Sequence, residues 1–456
     1  MAASKSISPF RLSSLLRLQK DPAFAFKLFR NPNPNPNKTF RYPLLSYDII
    51  ITKLGRAKMF DQMEQVLQQL KKETRFVVPE VLLCNVILFY GRARLPASAI
   101  QTFQSIPSFQ CERTVKSFNS LLNALLICRE YEKMREIYLG IDDFGSPDAC
   151  TYNILINACC LRGDIEQAWK VFDQMQRNGI RSTVVTFGTL INGFCLNNQL
   201  KEALQLKEDM MRIFKLKPNT FLYTTLLKGL CKMGDLTLAF GIKDEMVRNK
   251  VILDAAAYNT LIAALFKAGR KEEALGVLEE MKEHGCKPNP ATYNVMISGF
   301  CREKDFQEAY KILNGMEDFK PNVMSYNVMI GWLCKEGKWS EAVDLFQDMP
   351  RRRCAPDVVT YRTLFDGLCE WMQFKEAAFV LDEMIFKGFS PVCISMNKFI
   401  DGLCREGNFE LLSAVLTSLA GGNVLNEDIC KTVVSMVCLK EKSSEAFELF
   451  DTLTVP

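Results

Sequence analysis

The sequence predicts an all-α solenoid of stacked helix-turn-helix repeats. Three observations predict it. First, a segment of roughly 35 residues recurs from about residue 44 onward. Its clearest copies open on Tyr152-Asn153, Tyr258-Asn259, Tyr293-Asn294 and Tyr326-Asn327, with Ala168, Ala274, Ala309 and Ala342 downstream and then Met175, Met281, Met316 and Met349. Second, each copy holds two stretches with apolar residues at helical spacing, separated by a Gly in several copies, as at Gly269. Third, most copies close on Pro and a small polar residue, as in Pro147-Asp148, Pro218-Asn219, Pro288-Asn289, Pro321-Asn322 and Pro356-Asp357. Pro stops one helix and the polar residue precedes the next.

The unit from Ala255 to Asn289 justifies each element. Ala256 to Phe266 has helical periodicity, and Gly269 breaks it. Lys271 to Lys282 is the second helix, with Ala274, Leu275, Val277, Leu278 and Met281 on one face. Gly285 and Pro288 end it. One such hairpin cannot bury both its helices, so hairpins must stack. The same register counts units from Leu44, Glu80, Val115, Ala149, Val184, Thr220, Ala255, Pro290, Val323, Val358, Cys393 and Glu427. The array is thus about twelve repeats over 44–456. Residues 21–43 hold a degenerate first repeat, since Asp21 to Phe29 resembles a second helix, and an Asn-Pro spacer, Asn31 to Asn37. Residues 1–20 carry Lys5, Arg11, Arg17 and Lys20 with five serines and no acid. That is the composition of an organelle transit peptide; the competing reading is the first helix of the degenerate repeat.

Composition excludes several classes. The net charge of +5 is mild, so any basic signal must be local. The 17 cysteines contain no C-x-x-C pair. Eight of them (Cys160, Cys195, Cys231, Cys301, Cys334, Cys369, Cys404 and Cys438) share one repeat position and read as small buried hydrophobes rather than ligands or disulfides. The single histidine, His284, lies at a helix end and reads as a solvated residue. No phosphate-binding loop, nucleophile elbow or dinucleotide fingerprint appears, so no cofactor, metal or catalytic residue is expected. No apolar run is long enough to span a bilayer.

Counting places the Asn of each opening fifth in its unit. Positions 4, 7, 8 and 11 then form the packed side, and positions 2, 5, 9 and 13 lie opposite. Position 5 is mostly polar: Asn119, Asn153, Thr224, Asn259, Asn294, Asn327 and Asn397. Position 13 is often basic: Lys232, Lys267, Arg302, Lys335 and Arg405. Position 2 is often apolar: Val185, Phe221, Met324, Val359 and Ile394. Apolar side chains can sandwich a base, an amide can bond its edge, and a cation can take a phosphate. Those are the needs of single-stranded RNA recognition.

The Thr292-Tyr293-Asn294 opening, the Gly229-Leu230-Cys231-Lys232 helix end and the Lys-Pro-Asn/Asp close resemble the pentatricopeptide repeat family, over about nine-tenths of the chain. Unit lengths resemble its plain class. The resemblance implies a right-handed superhelix, with the asparagines on its inner face and one base read per unit by the fifth and last residues together. It implies uracil for Asn119/Asp148 and Asn327/Asp357. It implies pyrimidines for Asn153/Thr183, Asn259/Asn289, Asn294/Asn322 and Asn397/Asn426, and guanine for Thr224/Asp254. Gly188/Asn219 is ambiguous. The core read from Val115 to Asp357 would be U-pyrimidine-N-G-pyrimidine-pyrimidine-U. Asp48/Pro79, Cys84/Thr114, Arg362/Val392 and Lys431 match no code. The implied protein is a monomer without catalysis that binds an organellar transcript, mitochondrial or alternatively chloroplast. It would act in stabilisation, processing, splicing or translation with recruited processing factors, and use neither DNA nor membrane. A protein-binding scaffold of tetratricopeptide type is the rival reading, but its Trp-x-x-Leu-Gly opening is absent.

Overall fold

A computed structural model describes residues 8–32, 40–315 and 321–421. Met316, Asn426, Lys431, Cys438, the unit counted from Glu427 and most of the Asn-Pro segment lie outside the described residues. The chain forms two compact units, Met1–Gly229 and Leu230–Pro456. The described residues hold helices and no strand. In the first unit the pairs are Pro9–Leu18 with Pro22–Arg30, Leu44–Arg56 with Phe60–Lys71, Glu80–Arg92 with Pro96–Ser105, Val115–Cys128 with Tyr131–Tyr138, Ala149–Arg162 with Ile165–Arg177, and Val184–Leu196 with Leu200–Arg212. The helix Thr220–Met233 carries the division. The second unit continues with Leu236–Arg248, then Ala255–Lys267 with Lys271–Glu283, Pro290–Arg302 with Phe306–Asn314, Val323–Lys335 with Trp339–Arg351, Val358–Glu370 with Phe374–Phe386, and Cys393–Glu406 with Phe409–Gly421. Eleven first helices begin at the residues from which the repeat register counts its units. No helix among the described residues is long and apolar enough to cross a membrane.

Most first helices start where they do because the residue before them is a side-chain cap; Pro43, Pro79 and Val392 are the exceptions. Asp148, Asn289, Asn322 and Asp357 each accept the backbone N–H three residues on, at 2.9–3.0 Å. Such a cap contributes about 1 kcal/mol. The aromatic residue at position 4 fills the hairpin core: Phe118, Tyr152, Phe187, Tyr258 and Tyr361 are fully buried. The phenol then ties the hairpin shut at the far end of the second helix. Asn178 Nδ2 donates to Tyr152 Oη at 2.6 Å, and Tyr361 Oη donates to Glu383 at 2.7 Å. His284, read from sequence as a solvated helix end, is half-exposed but shares a 2.7 Å hydrogen bond with Tyr258 Oη. It serves this structural tie. On the second helices, Ala168, Ala203, Ala274, Ala309, Ala342 and Ala377 are fully buried and bring the paired helices close.

Successive first helices meet by knob and notch. A Cβ built on Gly193 would lie 2.2 Å from Cys160 Sγ, and one on Gly367 would lie 2.4 Å from Cys334 Sγ. The recurring Cys is therefore the knob, and the Gly two positions earlier in the next unit is its notch. Burial pushes the Cys160, Cys301 and Cys334 thiols up to about 12 and that of Cys195 to about 11. They are protonated at neutral pH and poor nucleophiles. At Gly91 the obstacle is backbone: a Cβ would sit 2.7 Å from Ala124 Cα. Gly91→Ala should destabilise the protein by about 1–3 kcal/mol, the usual cost of overpacking. Gly276→Ala lies in an exposed helix with nothing within 4 Å and should stabilise by about 0.5–1 kcal/mol. Urea midpoints moving in opposite directions would support this packing; equal shifts would refute it.

The boundary placed at residue 20 from composition falls inside a folded hairpin. Leu12, Leu16, Ala25 and Phe29 are all fully buried. Ser13 Oγ meets Ser46 Oγ at 2.7 Å, and Lys53 Nζ donates to the Gln19 carbonyl at 2.6 Å. Pro9–Leu18 is the first helix of that hairpin. The sequence hid this because Phe10 and Leu18 are apolar yet exposed, which blurs the buried face.

Candidate nucleic-acid interface

The last residue of a unit is the N-cap of the next first helix, so repeat stacking brings it beside the preceding unit's fifth residue. Two of the pairs are joined directly. Asn119 Nδ2 donates to Asp148 Oδ1 at 3.0 Å, and Asn327 Nδ2 donates to Asp357 Oδ1 at 3.3 Å. These are the two pairs to which the family resemblance assigns uracil. In each, the next unit's third residue adds two more donors to the same oxygen: the Thr151 N–H and hydroxyl at 2.9 and 3.0 Å, and the Thr360 N–H and hydroxyl at 2.9 and 3.0 Å. All three of these hydrogen bonds meet on Oδ1, and none of them uses Oδ2. Burial opposes the charge, but the threonine N–H, the asparagine amide and the hydroxyl outweigh it. Both carboxyls are held below their usual range and stay ionised at neutral pH.

The pairs Asn153/Thr183, Asn259/Asn289 and Asn294/Asn322 are close in kind but not hydrogen-bonded to each other. Asn289 and Asn322 cap their helices through Oδ1. Thr183 caps through a reciprocal box with Thr186, its N–H donating to Thr186 Oγ1 at 3.1 Å. Thr224 and Asp254 fall in different compact units and are described separately. Thr224 is buried, and Asp254 accepts the Ala257 N–H at 2.8 Å. Asn397 is described, but its partner Asn426 is not. Gly188 has no side chain to read with; a Cβ there would touch the Phe221 ring at 3.4 Å. Asn219 caps through the Leu222 N–H.

The fifth-position residues sit deeper than a freely projecting row. Asn119 is 7 % and Asn327 9 % exposed, and Asn153, Asn259, Asn294 and Asn397 are partly buried. The Oδ1 atoms of Asn153, Asn259, Asn294, Asn327 and Asn397, and Thr224 Oγ1, are buried without a hydrogen-bond partner. Each such atom costs about 1–3 kcal/mol unless something supplies the missing bond. Apart from Gln199 and Asp401, these orphaned oxygens recur at one repeat position, the fifth.

Around this line the side chains suit a nucleic acid. Val185, Phe221, Met324, Val359 and Ile394 are 49–69 % exposed. Lys232, Lys267, Arg302 and Lys335 are exposed, and no carboxylate pairs with them. Arg405 differs, because Asp401 neutralises it at 2.8 Å. Arg362, which matches no code, donates twice to the Ser390 carbonyl, at 3.1 and 2.8 Å, and serves structure. Cys84 is buried, and Thr114 donates its N–H to Glu80 at 2.9 Å. One contributor escaped the sequence reading. Trp332 stands where the units counted from Val115 to Cys393 otherwise carry Gly or Ala. Its ring lies beneath both Arg302, at 5.7 Å, and Lys335, at 4.5 Å, and its Nε1 donates to Ser298 Oγ at 3.1 Å. That break in the small-residue column was its available signal.

Stacked hairpin repeats with a recurring polar pair, joined in several units by an apolar platform or a cation, define a modular helical-repeat protein. A PPR repeat family model matches residues 147–196, 253–302 and 321–370. Two PPR repeat models match 214–247 and 185–213, 291–320 and 359–389. Together they cover 147–247 and 253–389, more than half of the chain. The chain belongs to the pentatricopeptide repeat family. A putative pentatricopeptide repeat-containing protein of Arabidopsis thaliana is 52% identical over 229 residues, 50% of this chain and 49% of that protein. Another from the same plant, named as mitochondrial, is 30% identical over 183 residues, 40% of this chain and 45% of that protein. The chain thus spans about half the length of the curated relatives it matches. Among solved structures, the pentatricopeptide repeat protein PPR10, in complex with an 18-nt psaJ RNA element, aligns at a TM-score of 0.54 and 21% identity. The alignment covers 97% of this chain and 63% of that one. It establishes a shared helical-repeat fold.

Proposed function

We propose that the protein binds single-stranded RNA in a sequence-specific way, one base per unit, and acts in organellar RNA metabolism without catalysis of its own. The observation that carries this reading is the fixed Asn–Asp pair at 119/148 and 327/357. Each offers one oriented carboxylate oxygen, Oδ2, where a base edge would lie. Uracil and guanine both present a ring N–H to such an acceptor. Where the last residue is Asn, its capping Oδ1 faces inward and its Nδ2 faces out. That donor suits the ring nitrogen of cytosine or a carbonyl of uracil, which accounts for a pyrimidine reading at Asn259/Asn289 and Asn294/Asn322. The exposed residues at position 2 would flank the base, and Lys232, Lys267, Arg302 and Lys335 would take phosphates.

Steric occupation of a transcript by a monomeric array would stabilise it or guide its processing, splicing or translation, with further factors recruited. The unit lengths support the plain class of the family. A mitochondrial site is supported by the basic, serine-rich start and by relatives named as mitochondrial; the chloroplast is the alternative. Removal of a targeting segment before Ser8 would leave the first hairpin whole. Sequencing RNA that co-purifies with the protein tests the reading. Enrichment of one organellar transcript carrying the U-pyrimidine-N-G-pyrimidine-pyrimidine-U core is the expected result. Recovery of protein partners without RNA would favour the scaffold reading instead.

A further inference from the structure

We propose that the buried hydroxyl at the third position of a unit is a positioning group for specificity: it decides which atom of the preceding unit's last residue faces the RNA. The residues are Thr151 and Thr360, with Thr292 and Ser325 in the same place. The proposal rests on the RNA-reading function above.

Thr151, Thr292 and Thr360 are fully buried and Ser325 is 2 % exposed, so none of them can touch a ligand. Each must act through another group. A hydroxyl has one hydrogen to donate. The backbone N–H of the capping residue already donates to this oxygen, at 3.2 Å from Asp148 and 3.1 Å from both Asn289 and Asp357. The hydroxyl hydrogen is thereby turned toward the cap's side chain. The hydroxyl oxygen lies 3.0 Å from Asp148 Oδ1, 3.2 Å from Asn289 Oδ1, 3.1 Å from Asn322 Oδ1 and 3.0 Å from Asp357 Oδ1. The backbone N–H of the same residue points at that oxygen too.

Two donors aimed at one place require an acceptor there. For Asp the consequence is an outward Oδ2. For Asn it is an outward Nδ2, because the reversed amide would set its own N–H groups against both donors. The hydroxyl thus converts the Asp/Asn difference into an acceptor/donor difference at the base edge. At Thr151 the single hydrogen has two competing acceptors, Asn119 Oδ1 at 2.8 Å and Asp148 Oδ1 at 3.0 Å, so the orienting role is cleanest at Thr360, where Asp357 is the one side-chain acceptor.

The test uses the full chain as wild type, Thr360→Val and Thr360→Ser. Val keeps the shape and loses the hydroxyl; Ser keeps the hydroxyl. Affinities are measured for RNAs differing only in U or C at the base assigned to Asn327/Asp357, and for RNAs differing in the same way at the base assigned to Asn119/Asp148. In Thr360→Val the preference for U should fall at least about fivefold at the first position and hold at the second. Thr360→Ser should restore it. In parallel, carbon-13 NMR of aspartate-labelled protein without RNA should show the Asp357 carboxyl titrating at higher pH in Thr360→Val, because the ionised form has lost a donor. Unchanged preference at the first position, or an equal loss on every RNA, overturns the proposal. If the wild type binds no RNA, the functional reading fails, and the titration alone decides the orienting role: an unmoved Asp357 overturns it.

Discussion

Replacing Lys232, Lys267, Arg302 and Lys335 together with Ala should weaken single-stranded RNA binding by two to three orders of magnitude, on the order of 10²–10³-fold, in ~0.1 M salt. The four side chains are exposed at one repeat position, and no carboxylate neutralises them. Each phosphate contact on a single strand contributes about 0.7 to the slope of log K against log salt. Four losses should flatten that slope by about 3. All RNA sequences should suffer alike, because phosphates carry no sequence information. Arg405 is left in place, since its pair with Asp401 already offsets its charge. Filter-binding isotherms at several salt concentrations check this. A loss confined to one RNA sequence would mean that these cations read bases, and an unchanged slope would mean that they do not meet the backbone.

The helices were legible in the sequence because three local signals agree at most starts: a stop for the previous helix, a small polar residue and an aromatic at the fourth position. Local agreement of that kind needs no tertiary information. The proposed binding side follows from the same local pattern, since it is simply the face opposite Tyr and Leu. What was not legible depends on neighbours about 30 residues away. Asp148 and Asp357 cap the helices that follow them locally, but their bonds to Asn119 and Asn327 appear only once hairpins stack. The Thr of the Thr-Tyr-Asn opening was read as a family mark, and its grip on the previous unit's last residue was invisible. The Cys160–Gly193 notch was half-read: burial of the cysteine was expected, but not the reason the next unit needs Gly. Depth was misjudged too. A helical wheel assigns direction but not burial, so Asn119 and Asn327 were taken as projecting when close packing leaves them nearly covered.

The central claim is that one unit reads one base through its fifth and last residues, and Asn327→Thr tests it most directly. The change turns Asn327/Asp357 into the Thr/Asp combination that the family resemblance assigns to guanine. Asp357 is untouched and still caps its helix. Its Oδ1 keeps the Thr360 N–H and hydroxyl, both within 3.0 Å, after the 3.3 Å bond from Asn327 is lost. Oδ2 therefore remains an acceptor for the ring N–H that guanine shares with uracil. Only the space above it changes, because Thr is shorter than Asn and admits a purine. A mismatched base costs about 1–3 kcal/mol, so the preference should be readily measured. Wild type and Asn327→Thr are titrated against two RNAs differing only in U or G at the assigned position. The account predicts that wild type prefers U and the variant prefers G, while the preference at the position of Asn119/Asp148 stays with U in both. The same preference in both proteins would contradict reading of one base by one unit in this register.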